Sequence, residues 1–120
     1  MHEIIFYEDE KGNSPVFEFL KDLSNSNGKD SRIRLKKAQD YISALKIYGK
    51  SLGEPYLKHL DKDIWELRPA RDRILFAGIV GDNFVLLHTF FKKTQKTPQR
   101  EIDKAKKELD DFKERSGLYD

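Results

Sequence analysis

Three β-prone runs follow one another at tight spacing between Ile64 and Phe91, and this restricts the fold more than anything else in the chain. Ile64-Trp65-Glu66-Leu67-Arg68 alternates apolar and polar side chains, as a half-buried strand does. After the short link Pro69-Ala70-Arg71, a longer run extends from Arg73 to Val80. Gly81-Asp82-Asn83 reads as a hairpin turn, because these residue types accept the positive φ that tight hairpins need. Phe84 to Phe91 is the most apolar run and is expected at the centre of the sheet. Parallel neighbours need long crossovers, so connections this short dictate an antiparallel meander.

The remaining elements fall around the meander. Ile4-Ile5-Phe6-Tyr7 is a short β-prone run that ends in an acidic turn. Ser14-Pro15 reads as an N-cap followed by a first-turn proline, with Val16, Phe19, Leu20 and Leu23 as the apolar stripe of a helix. Ser24 to Gly28 breaks that helix. A second runs from about Asp30 to Tyr48, with Leu35, Ala38, Tyr41, Ile42, Leu45 and Tyr48 on one face and Gly49 as its stop. Leu60-Asp61-Lys62-Asp63 reads as a solvated turn. Thr97-Pro98 repeats the cap-and-proline signature, and Ile102, Ala105, Leu109 and Phe112 give a last helix its stripe. The expected order is β-α-α-β-β-β-α in one domain, residues 1–120. This is an α+β fold: an antiparallel sheet, made of the C-terminal meander plus the N-terminal strand, packed by two N-terminal helices and a C-terminal helix. All three helices are expected on one face of the sheet.

Composition narrows the chemistry. The chain has no cysteine, which rules out disulfide frameworks, thiolate metal sites and cysteine nucleophiles. It opens Met1-His2-Glu3-Ile4, without a basic segment leading into an apolar one, so no secretory signal is expected. No apolar run approaches the roughly 20 residues of a membrane helix. A cytoplasmic location away from membranes is the expectation. The net charge of +2 conceals segregation. Residues 68–100 carry Arg68, Arg71, Arg73, Lys92, Lys93, Lys96 and Arg100 against Asp72 and Asp82, whereas residues 1–30 are acidic. Such polarity suits an anionic partner, nucleic acid above all.

Within the basic segment, Arg68 and Arg73 lie on adjacent strands across a short link, so both guanidiniums are expected at one patch. Paired arginines match phosphate oxygens bidentately; the alternative is that each forms an ion pair with Glu66 or Asp72. Lys92, Lys93 and Lys96 precede a helix N-terminus, whose backbone N–H groups also favour anions. Arg71 and Thr94 belong to the same patch, and Phe90 or Phe91 could present a base-stacking face. Trp65, on the opposite strand face from Arg68, reads as core support. His59, in a polar stretch, is the candidate for proton transfer, whereas His88, amid apolar residues, reads as packed. No cofactor is implied, and no group of acids and histidines has metal-ligand spacing.

Three stretches together resemble the phage-derived, HigB-like branch of the RelE/ParE toxins. They are Trp65-Glu66-Leu67-Arg68, then Arg71-x-Arg73-Ile74-Leu75-Phe76, then Val85-Leu86-Leu87-His88-x-Phe90-x-Lys92-Lys93-Thr94-x-Lys96-Thr97-Pro98 leading into Glu101-Ile102-x-x-Ala105. The resemblance implies an endoribonuclease that enters the ribosomal A site and cuts mRNA. It also implies a HigA-like helix-turn-helix antitoxin as partner, in a heterotetrameric complex. Carried over by position, the strand arginine of the family falls on Arg73, the basic residue after the last strand on Lys93, and a further basic site on Arg68. Where RelE has strand lysines this chain has Ile64 and Glu66, and Tyr119 lies far downstream of the position of the family's late tyrosine. The expected chemistry is metal-independent attack of the RNA 2′-OH on its adjacent phosphate. In it Arg68 and Arg73 stabilise charge, the lysines grip RNA and His59 transfers the proton. A ParE-type gyrase poison and a non-toxic RNA-binding or partner-binding protein are the alternatives on the same fold.

Overall fold

The structure, a computed structural model, describes residues 1–117, so Tyr119 lies outside the described residues. Its elements are β1 (Ile4–Phe6), α1 (Pro15–Asn25), α2 (Lys29–Tyr48), β2 (Leu57–Asp61), β3 (Ile64–Leu67), β4 (Asp72–Ile79), β5 (Asn83–Phe91) and α3 (Gln99–Ser116). The expected meander is β3-β4-β5, antiparallel throughout, with Leu67 opposite Ile74 and Ile79 opposite Asn83. The α+β class and the helices stand as expected.

Four features differ from the expectation. The sheet has five strands in the order β1-β5-β4-β3-β2, so β4 rather than the more apolar β5 is the middle strand. β1 joins β5 in parallel, Ile4 opposite Phe84, which makes the sheet mixed. The extra strand, β2, takes in Leu60 and Asp61, leaving Lys62-Asp63 as the turn into β3. Its alternation is hard to read because a bulge between His59 and Asp61 breaks the two-residue period.

The fourth difference matters most for the site. The helices cover both faces of the sheet. On one face α1 and α2 bury Val16, Ala38 and Leu45 against Leu67, Phe76 and Leu86. On the other, α3 packs Ala105, Leu109 and Phe112 against Ile64, Leu75 and Leu87. Side chains alternate across a strand, so Glu66 shares its face with Ile64 and lies under α3, not in open solvent. In β5 a bulge opposite Leu75 and Phe76 turns His88 toward α3 as well, where it bonds to Glu108.

Candidate functional site

The sheet and α3 diverge where the loop 92–98 leaves β5, and a cleft of about 310 Å³ opens there. Glu66, Arg68, Arg73 and Phe90 form its sheet side, Lys92 to Pro98 its rim, and Arg100 and Glu101 its helix side. Thr97 does not cap α3; Pro98 holds that position. Instead the Thr97 hydroxyl donates to Oε1 of Glu66, so the buried carboxylate ties the loop to the sheet.

Glu66 also organises the arginines. Its Oε2 lies 3.5 Å from Arg68 Nε and 3.9 Å from Arg73 Nε. The two guanidiniums therefore do converge, and they do so on one carboxylate. Arg73 is nearly buried, and its Nη1 donates to the carbonyls of Ala70 (2.8 Å) and Asp72 (2.9 Å). Burial pulls its pKa below the ordinary arginine value, with Glu66 opposing and Arg68 adding to the fall. Arginine starts so basic that it keeps its charge. Asp72 does not neutralise Arg73 side chain to side chain. Its carboxylate takes a bidentate contact from Arg34 of α2, at 3.0 and 2.7 Å, and this hydrogen bonding raises the Arg34 pKa. Two guanidiniums facing one carboxylate leave the cleft floor cationic, and Lys92, Lys93 and Lys96 extend that sign along the rim.

The other candidates divide. Phe90 lines the cleft and packs on the core beneath α3. Phe91 is 43% exposed, with the Arg34 and Arg71 guanidiniums 5.2 and 5.3 Å from its ring centroid. Arg71 also donates to the Lys92 carbonyl, and the Thr94 hydroxyl to that of Lys96 (2.6 Å), which gives the rim internal bracing. His59 is not brought to the cleft. It sits on edge strand β2, with its ring 4.6 Å from that of Trp65, while Trp65 packs against the core under α1 and α2. The reason is parity: Arg68 belongs with Ile64 and Glu66, whereas His59 pairs with Trp65 on the face that α1 and α2 cover.

Sequence reasoning named Glu66 as an ion-pair partner for the arginines, but on the surface and not buried under α3, and it missed two participants outright. Glu101 and Glu108 stand seven residues apart, two helical turns, and thus share one side of α3 with its apolar stripe. That spacing is the signal that could have drawn attention to them. His88, buried as expected, lies between them. Among the described residues, no helix is long and apolar enough to cross a membrane.

No curated protein matches this sequence. Residues 18–110, which run from α1 through most of α3, match the family described as Phage derived protein Gp49-like. The span includes every strand of the meander and every residue of the cleft. The chain therefore belongs to the Gp49-like family of phage-derived proteins, a toxin-like family of the RelE/HigB type.

Proposed function

We propose that this protein is the toxin of a toxin–antitoxin pair and that it cuts mRNA on the ribosome. The observation that supports this best is the pair of guanidiniums held on buried Glu66 at the floor of a lysine-rimmed cleft. In the proposed reaction the RNA 2′-OH attacks its adjacent phosphate without a metal ion. Arg68 and Arg73 stabilise the negative charge that builds on the phosphate, Lys93 protonates the leaving oxygen, and Lys92, Lys96, Arg71 and Thr94 hold neighbouring phosphates. Phe90 offers an aromatic edge to a base. A HigA-like helix-turn-helix antitoxin silences it in a heterotetrameric complex in the cytoplasm.

Expression of the chain alone, with mapping of cut sites on translated and free mRNA, tests the reading. Cleavage is expected only on ribosome-bound message. Arg73→Ala should lower it by about 10²–10³, the usual loss of one charge-stabilising donor. Growth arrest with DNA damage that depends on gyrase would favour the gyrase-poison reading instead. Undiminished cleavage by Arg73→Ala would remove the proposed mechanism.

A further inference from the structure

His88 is buried at 2% exposure, and both of its ring nitrogens face carboxylates. Nδ1 lies 2.5 Å from Oε1 of Glu108, which is itself buried. Nε2 lies 3.0 Å from Oε1 of Glu101, in the first turn of α3. A neutral imidazole donates from one nitrogen only. Making both hydrogen bonds therefore requires one proton more than a neutral ring and two carboxylates possess. An imidazolium satisfies the set, as does a neutral ring donating to Glu101 with Glu108 protonated, and in both Glu101 is an ionised acceptor. A proton-holding chain of three groups thus runs from the interior to Glu101, and Glu101 lines the cleft.

The two carboxylates of the cleft are not equivalent. The Glu66 side chain is 2% exposed, and its oxygens are taken by Thr97 and by the two arginines. The Glu101 side chain is 17% exposed. Among the described residues, its Oε2 has only the exposed Arg100 guanidinium as a partner, at 3.8 Å. One oxygen is fixed by buried His88 and the other remains open on the cleft side, where a substrate hydroxyl can reach it. The charged groups around this site are Glu66 and Arg68 from the β3 side, Arg73 from β4, His88 from β5, Arg100 and Glu108 from α3, and the rim lysines.

We propose that Glu101 is the general base of the RNA-cutting reaction and that His88 and Glu108 are positioning residues that orient it. This inference rests on the endoribonuclease reading. The 2′-O–H bond breaks and its proton passes to Glu101 Oε2 while the 2′-oxygen forms a bond to phosphorus. The P–O5′ bond breaks, and the departing 5′-oxygen takes a proton from the Lys93 ammonium. The products are a 2′,3′-cyclic phosphate and a 5′-hydroxyl, with no redox partner required.

The test is single-turnover cleavage of ribosome-bound mRNA by the full chain, followed against pH, with anisotropy binding of a short RNA as a parallel readout. Glu101→Gln keeps the shape and the His88 contact. It should cut about 10²–10⁴ more slowly, the span typical of a lost general base, with RNA affinity nearly unchanged. In the wild type the rate should rise with pH along an acidic limb, and that limb should be absent from Glu101→Gln. His88→Gln and Glu108→Gln should displace the limb along the pH axis, which a purely structural contact would not do. If Glu101→Gln melts early, Glu101→Asp is read in its place and should retain part of the rate. Wild-type activity in Glu101→Gln, or an acidic limb that is unmoved in Glu101→Asp, while Arg73→Ala is inactive, overturns the base assignment and leaves the nuclease reading intact. A wild-type protein that cuts no RNA overturns both.

Discussion

Tyr7, Asp111 and Arg115 form a hydrogen-bonded set of side chains outside the cleft. The Tyr7 hydroxyl donates to Oδ2 of Asp111 at 2.7 Å, and Arg115 grips the same carboxylate through Nε and Nη2. The Arg115 hydrogen bond, helped by Tyr7, holds the Asp111 carboxyl down at about 2. Burial, reinforced by the Asp111 hydrogen bond and charge, pushes the Tyr7 hydroxyl up to about 12. A carboxyl that is more acidic when folded stabilises the fold above its unfolded value of 3.8, and the gain disappears as pH falls toward about 2. A phenol that is less acidic when folded works in the opposite sense. Its contribution is complete below 10.0 and is lost as pH rises through about 12. Tyr7→Phe should therefore cost about 0.5–1.5 kcal/mol near neutrality, the usual worth of one hydrogen bond. Its deficit against the wild type should shrink in alkali. Urea melts at about pH 8 and about pH 11 measure the gap, and an unchanged gap would contradict the assignment.

At the scale of elements, Gly49 carries the junction between α2 and the first strand. It ends α2 at φ 61°, and a Cβ placed there would lie 2.5 Å from Nε2 of His2. Gly49→Ala therefore meets both left-handed backbone strain, about 1–2 kcal/mol for a side chain, and a collision that displaces His2. The His2 amide bonds to the Lys46 carbonyl, so the damage should extend to β1. Denaturant unfolding should show a loss above about 1 kcal/mol, and wild-type stability in this variant would refute the packing described. The helices and the meander were legible because their apolar residues repeat at the period of the element that buries them. β2 was not, since Lys58, His59 and the bulge leave it without a clean period. The second covered face was also hidden. Glu66, Arg68 and Arg73 look like solvent-facing residues on their strands, and only their cross-strand and loop partners make burial tolerable. The arginine pair, its pairing with Glu66 and the lysine rim could be read from the sequence, whereas the burial of Glu66 and the approach of Glu101 and Glu108 could not. Thr97 misled too, because its hydroxyl serves Glu66 rather than the helix it precedes.

Over the whole molecule, charge is sorted: residues 1–30 carry a net negative charge, and the cations of residues 68–100 gather at the cleft end. Binding of single-stranded RNA should weaken steeply with salt. Replacing Lys92, Lys93 and Lys96 with alanine should flatten the slope of log affinity against log salt by about 0.7 for each phosphate no longer neutralised. Titrations of a short RNA at several salt concentrations give both slopes, and identical slopes would remove the lysines from the RNA grip. The parallel pairing of β1 with β5 has a consequence in time. Ile4 is opposite Phe84, and Glu3 bonds to Asn83, partners separated by 80 residues of sequence. Closing so long a stretch is slow, because its entropic cost precedes any reward from the pairing. While the chain is being synthesised, β1 has no strand to join, and α1 and α2 have no sheet to cover. The cleft draws on β3, β4, the loop after β5 and α3. It therefore cannot close before α3 has been made and docked, whatever has folded ahead of it.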